Sequence, residues 1–306
     1  MAARMRRFLT TAVLFVAVAG TAAWFLTRPE PWPASHWEGL GEPDVANGAL
    51  VFSAGGCVSC HARPGAVEGE AQLVLSGGLA LKSDFGTFHV PNISPDETAG
   101  IGGWTLAEFG NAITRGVGPH NEHLYPSFPY TSYARLTAKD VNDLFGYLKT
   151  LPKSPDVAPS HELPFPFNIR LALGGWKLLF YSDAPRVTVD TSNPKLARGQ
   201  YLVEGPGHCG ECHTPRNALG GFEPGQWLAG APNPEGKGRI PNITPGSKSI
   251  GSWSEGDIVT YLETGFTPDF DSAGGSMVEV QKNMAKLPAS DREAIAAYLK
   301  AVPAVQ

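Results

Sequence analysis

Charge is sparse in this chain. Acidic and basic residues make up 17% of its 306 positions, and 29 acids against 24 bases leave a net charge of −5. The basic surplus that a nucleic-acid partner requires is missing, so no nucleic acid is expected. Cysteine is scarcer still. There are four, all inside two five-residue runs, so no spare thiolate remains elsewhere. Methionine is as rare: Met1, Met5, Met277 and Met284, with none between. Glycine (36) and proline (27) are plentiful, which describes a loop-rich chain with few long helices.

The two cysteine runs are C-V-S-C-H at Cys57–His61 and C-G-E-C-H at Cys209–His213. C-x-x-C-H is the attachment pattern of c-type haem: the thiols form thioethers with the vinyl groups, and the histidine sits under the iron. Two matches that use every cysteine predict two covalently bound haem c groups. Cys57, Cys60, Cys209 and Cys212 would attach them, with His61 and His213 as iron ligands. A zinc site from two C-x-x-C pairs, or thioredoxin-like redox pairs, are the alternatives on thiols alone. Neither explains a histidine at the same place after each pair.

Residues 1–30 read as a signal anchor. Arg4, Arg6 and Arg7 precede an apolar stretch from Phe8 to Leu26, close to the ~20 residues that span a bilayer. The basic end stays in the cytoplasm, which places the rest on the periplasmic side of a bacterial cytoplasmic membrane, with Trp24 at the interface. The alternative is a signal peptide cleaved near V-A-G or T-A-A, giving a soluble periplasmic protein.

Beyond the anchor the chain repeats itself. Cys57 recurs at Cys209, P-N-I-S-P at Pro91 recurs as P-N-I-T-P at Pro241, I-G-G-W at Ile101 as I-G-S-W at Ile250, and G-Y-L-K-T-L-P at Gly146 as A-Y-L-K-A-V-P at Ala297. The near-constant offset predicts two all-α, cytochrome c-type domains in tandem at 40–152 and 194–306. Helices are expected near Asn47–Ser53 and Pro194–Glu204, after N-caps at Thr105 and Ser254, and over Ala138–Thr150 and Ser290–Ala301. The strap between, 153–193, either covers the seam or docks a partner subunit or the membrane face.

Each iron also needs a distal ligand. Counting from the Trp of I-G-x-W, Met277 falls where the first half has Phe128, which cannot bind iron. Met277 is therefore the expected sixth ligand of the second haem, with Met284 the runner-up. For the first haem the expected ligand is His123, with His120 or an open position as alternatives. A second imidazole lowers potential relative to a thioether, so electrons would run from haem 1 to haem 2. Asn92 and Asn242 in the P-N-I loops, Trp104 and Trp253, and Arg63 and Arg216 are candidates for contacts to the propionates or haem edge. His208 would line the edge of the second haem, and His89 would be a core or supporting residue.

The runs F-G-T-F-H-V-P-N-I-S-P (85–95), H-L-Y-P-S-F-P-Y-T-S-Y (123–133) and G-P-G-H-C-G-E-C-H-T-P-R-N (205–217) give the chain a family resemblance. It resembles the membrane-anchored cytochrome c subunits of bacterial periplasmic alcohol, gluconate and aldehyde dehydrogenases, over nearly everything after residue 40. The resemblance implies an electron-transfer subunit with no substrate chemistry of its own. It would take electrons from a dehydrogenase catalytic subunit and pass them to a quinone, a downstream cytochrome or an oxidase. Several relatives carry three haems where this chain has two motifs, and members with Y-P-A-M-P-Y place Met where Phe128 stands. That absent Met keeps a rival in view, a dihaem peroxidase or sulfur-compound oxidoreductase working at an open first haem.

Overall fold

In the computed structural model the described residues are 2–234, 236 and 238–306; Met1, set aside above as a ligand, lies outside them. The long apolar run folds as α1 (Ala2–Thr27), long and apolar enough to cross a membrane and with none of its apolar length buried. α2 (Val45–Ala54) follows, its first turn capped by Asp44, which accepts the Ala46 and Asn47 N–H groups at 3.0 and 3.1 Å. α3 (Cys57–His61) is the first cysteine motif. A hairpin of β1 (Ala80–Ser83) and β2 (Gly86–His89) pairs Leu81 with Phe88. α4 (Leu106–Arg115), α5 (Tyr130–Tyr133) and α6 (Ala138–Lys149) complete this half.

The strap carries α7 (Ala172–Phe180). Then come α8 (Pro194–Glu204), α9 (Gly210–His213), the two-residue pair β3 (Ala231–Pro232) and β4 (Arg239–Ile240), α10 (Glu255–Thr264), α11 (Met277–Met284) and α12 (Ala289–Ala301). The predicted helices fall where expected, and Thr105 and Ser254 both close full capping boxes, with Glu108 and Asp257. The fold is mostly helical, with two short antiparallel pairs that the all-α expectation did not include. Four-residue strands and the short helices α5, α7 and α11 leave too little periodicity to read from sequence.

Two helix crossings organise the globule. At Gly48 on α2 an added Cβ would lie 2.1 Å from the Asp143 carbonyl oxygen of α6 and 2.8 Å from Tyr147 Cβ. At Gly199 on α8 it would lie 2.0 Å from the Ala294 carbonyl oxygen of α12 and 2.7 Å from Tyr298 Cβ. Only glycine lets each pair of backbones approach so closely. Each crossing closes an apolar core: Val51, Phe52, Leu75, Val141 and Leu144 on one side, Leu202, Val203, Leu228, Ile295 and Leu299 on the other. Gly199→Ala therefore wedges α8 from α12 and will cost about 1–3 kcal/mol, measured as a lowered denaturant midpoint of the haem-loaded protein.

A buried carboxylate joins the halves. Glu204 Oε1 accepts the Tyr298 hydroxyl at 2.6 Å and Gln200 Nε2 at 3.0 Å, and Oε2 accepts the strap's Arg186 N–H at 2.7 Å. The guanidinium of Arg135, from the first half, lies 3.4 Å from Oε2. The Tyr201 hydroxyl donates to Asp140 across the same seam.

Candidate functional site

α3 and α9 each end on the motif histidine, and both histidines are held alike. His61 Nδ1 donates to the Pro91 carbonyl at 2.8 Å, and His213 Nδ1 donates to the Pro241 carbonyl at 2.8 Å. A hydrogen bond at Nδ1 fixes the ring and leaves Nε2 for a metal. The backbone is gripped from the same side. The His61 carbonyl accepts Gly77 N–H at 2.8 Å and the His213 carbonyl accepts Gly230 N–H at 2.7 Å. Both glycines have positive φ, +68° and +81°, and an added Cβ at Gly77 would sit 2.4 Å from the Pro91 oxygen. Burial holds the His61 imidazole neutral, with its pKa down to about 4, against the opposing pull of the Pro91 hydrogen bond. Burial lowers His213 in the same direction.

The thiols do not read as a redox pair. Burial first, then the neighbouring motif cysteine, pushes Cys57 and Cys209 up to about 12, whereas reactive dithiols have depressed values. Among the described residues no cluster of three or more His, Cys, Asp or Glu is arranged to hold a bare metal ion. Half-buried Cys57 and Cys209, each packed on its apolar core, and a clamped histidine four residues on fit a covalently held haem better than zinc.

The Pro91 and Pro241 carbonyls are the functional groups the sequence reading missed, although the repeated P-N-I turn carried them. Attention went one residue on. Asn92, 5% exposed, donates from Nδ2 to the Ser154 and Asp156 carbonyls, both at 2.8 Å, and its Oδ1 accepts Ser94 N–H. Both Nδ2 hydrogens are engaged, and Asn92 staples the turn to the strap. Asn242 does the same work, donating to the Val305 carbonyl at 2.7 Å. Trp104 and Trp253 pack on the two cores. Arg63 pairs with Asp156, and Arg216 with Glu211.

Distal candidates divide cleanly. Met277, the first residue of α11, is half-buried against the core that includes Cys209, and Met284 lies inside it at 4% exposure. Phe128 packs on the core that includes Cys57, 5.8 Å from the Tyr133 ring. His123 has other partners. Its Nε2 donates to the Thr27 carbonyl at 2.7 Å, and its own carbonyl accepts Arg170 at 2.9 Å. The buried ring ties the end of α1 to the globule. His120 is exposed, and His89 Nε2 contacts Glu162 at 3.1 Å.

The two motifs meet. His208, directly before Cys209, reaches Gly55, two residues before Cys57, with Nε2 3.1 Å from its carbonyl oxygen. The Tyr133 ring lies 5.6 Å from the His208 ring, and the Ser132 hydroxyl donates to Glu211 at 2.6 Å.

A helical fold that presents C-x-x-C-H with its histidine braced by a proline carbonyl defines a c-type cytochrome. The cytochrome c family model matches residues 45–152. The chain is 55% identical over 302 residues to a dihaem c-type cytochrome of Cereibacter sphaeroides, covering 99% of this chain and 100% of that one. It therefore belongs to the dihaem c-type cytochrome family, whose prosthetic groups are two covalently bound haem c. It is also 40% identical over 278 residues to the fructose dehydrogenase cytochrome subunit of Gluconobacter japonicus, covering 90% of this chain and 55% of that one. To the gluconate 2-dehydrogenase cytochrome c subunit of Pantoea cypripedii it is 33% identical over 276 residues, covering 85% and 61%. The chain thus spans little more than half the length of these dehydrogenase subunits.

Proposed function

We propose that this chain is a membrane-anchored relay. It takes electrons from the catalytic subunit of a periplasmic dehydrogenase and passes them to a downstream cytochrome, quinone or oxidase. Two tandem cytochrome c domains, 40–152 and 194–306, each hold one haem, with 153–193 as the strap between them. Cys57 and Cys60 attach haem 1 and Cys209 and Cys212 attach haem 2, over His61 and His213. Met277 completes haem 2. The contact of His208 with Gly55 carries the reading, because it brings the approaches to both attachment sites together, as direct electron passage requires. α1 is the uncleaved anchor, with Arg4, Arg6 and Arg7 in the cytoplasm.

The haem supplies the one-electron chemistry. The chain keeps each proximal imidazole neutral by burial and orients it through the Pro91 and Pro241 carbonyls. Optical redox titration tests the reading: two transitions are expected, haem 2 at the higher potential, since a thioether ligand raises it. One shared midpoint would overturn it. Phe128 on the core beside Cys57 favours a second reading, a dihaem peroxidase or sulfur-compound oxidoreductase with haem 1 open. Cyanide binding together with peroxide turnover supports that reading, and neither is expected of the relay.

A further inference from the structure

α7 is built inside out for a helix facing water. Its charged residue, Lys177, turns inward and donates to the Arg115 and Gly116 carbonyls, both at 2.7 Å. Trp176 Nε1 donates to the Leu219 carbonyl at 2.8 Å. Gly174 is pressed against the end of α1, where an added Cβ would lie 1.9 Å from the Thr27 oxygen. The opposite face, at helical spacing from Leu171 through Gly175 to Leu178 and Leu179, is wholly apolar. Leu171, Leu178 and Leu179 are 52, 61 and 68% exposed. The segment leading in adds exposed Phe165, Phe167 and Ile169, while its one charge, Arg170, is drawn to the His123 carbonyl and the Tyr125 ring. Surface helices put charge outward, and a contiguous apolar patch of this kind marks a binding surface.

Its position names the occupant. α7 packs on the last turn of α1, where exposed Trp24, Phe25 and Leu26 continue the apolar surface. We propose that residues 165–180 form a second membrane contact, lying in the headgroup–acyl boundary of the bilayer with Leu171, Leu178 and Leu179 turned into lipid. This rests on α1 being the anchor. One span alone leaves the globule free to tilt. With a span and an interfacial helix clamped together through Thr27, Gly174 and His123, the protein has one fixed orientation on the membrane.

Nitroxide labelling of the full-length, haem-loaded protein in phosphatidylcholine/phosphatidylglycerol liposomes tests this. With the native cysteines in thioethers, an introduced thiol is the one that reacts, and an unchanged haem spectrum certifies folding. A label at Leu179→Cys is expected to show a several-fold higher accessibility ratio of oxygen to a water-soluble nickel complex than a label at Phe270→Cys, where the side chain is 94% exposed. Leu178→Cys serves as an independent second position. A label at Leu14→Cys reports the anchor. If Leu14 reads as hydrocarbon while Leu178 and Leu179 read as water, the interfacial proposal falls and the anchor stands; if all three read as water, both fall. If Leu179 is aqueous in liposomes and becomes shielded only on adding the catalytic subunit, the face binds protein and the lipid proposal is overturned.

Discussion

With Met277 replaced by alanine, the purified protein will keep both haems covalently attached while one of them changes state. The haem at Cys209 loses its thioether, turns high-spin, and drops in potential on the order of 0.1 V or more, within the roughly 0.8 V that axial ligands span. The other haem keeps its midpoint. The companion change, Met284→Ala, hollows a core of Leu228, Ile258 and Leu287 and will cost about 2–5 kcal/mol of stability while leaving both potentials in place. Spectroelectrochemistry of the pair decides the ligand. A shift produced by Met284→Ala and not by Met277→Ala would reassign it.

Replacing Cys57 and Cys60 together by serine will halve the haem content, from two covalent groups to one, seen as a single porphyrin increment in intact-protein mass. The first half would then lose its macrocycle beside the core of Val58 and Leu75, and its helices are expected to loosen. Under the proposed relay the remaining haem would keep a Met277 optical signature but no longer be fed through its neighbour, so its reduction by the dehydrogenase is expected to slow. Undiminished reduction would mean that electrons enter at the second haem directly and would end the two-step relay.

Much of this was legible in the sequence. The motifs, the repeat offset and the capping residues Thr105 and Ser254 placed the major helices to within a few residues, because local hydrogen bonding and periodicity determine them. The site was legible only where chemistry is written in side chains. Pro91 and Pro241 act through their carbonyls, which no side-chain pattern announces, so the neighbouring asparagines drew attention that belonged to them. His123 had the right type and approximate place for an iron ligand. The structure seats it against Thr27, a partner 96 residues away in sequence, and such a contact has no local trace. α7 escaped notice as a helix because its nine residues are apolar on the outside and charged on the inside.

The carboxylate of Glu204, closed off from water among Tyr298, Gln200, Arg186 and Arg135, has a kinetic consequence. Parting the halves would take the Arg135 guanidinium, 3.4 Å from Oε2, away from this carboxylate and break the Tyr201–Asp140 hydrogen bond across the same seam, so hinge opening is opposed. In the proposed relay, electron passage between the two haems would then run by tunnelling across a gap set when the chain folds. Its rate is expected not to vary with solvent viscosity, with conformational gating confined to the docking of partners.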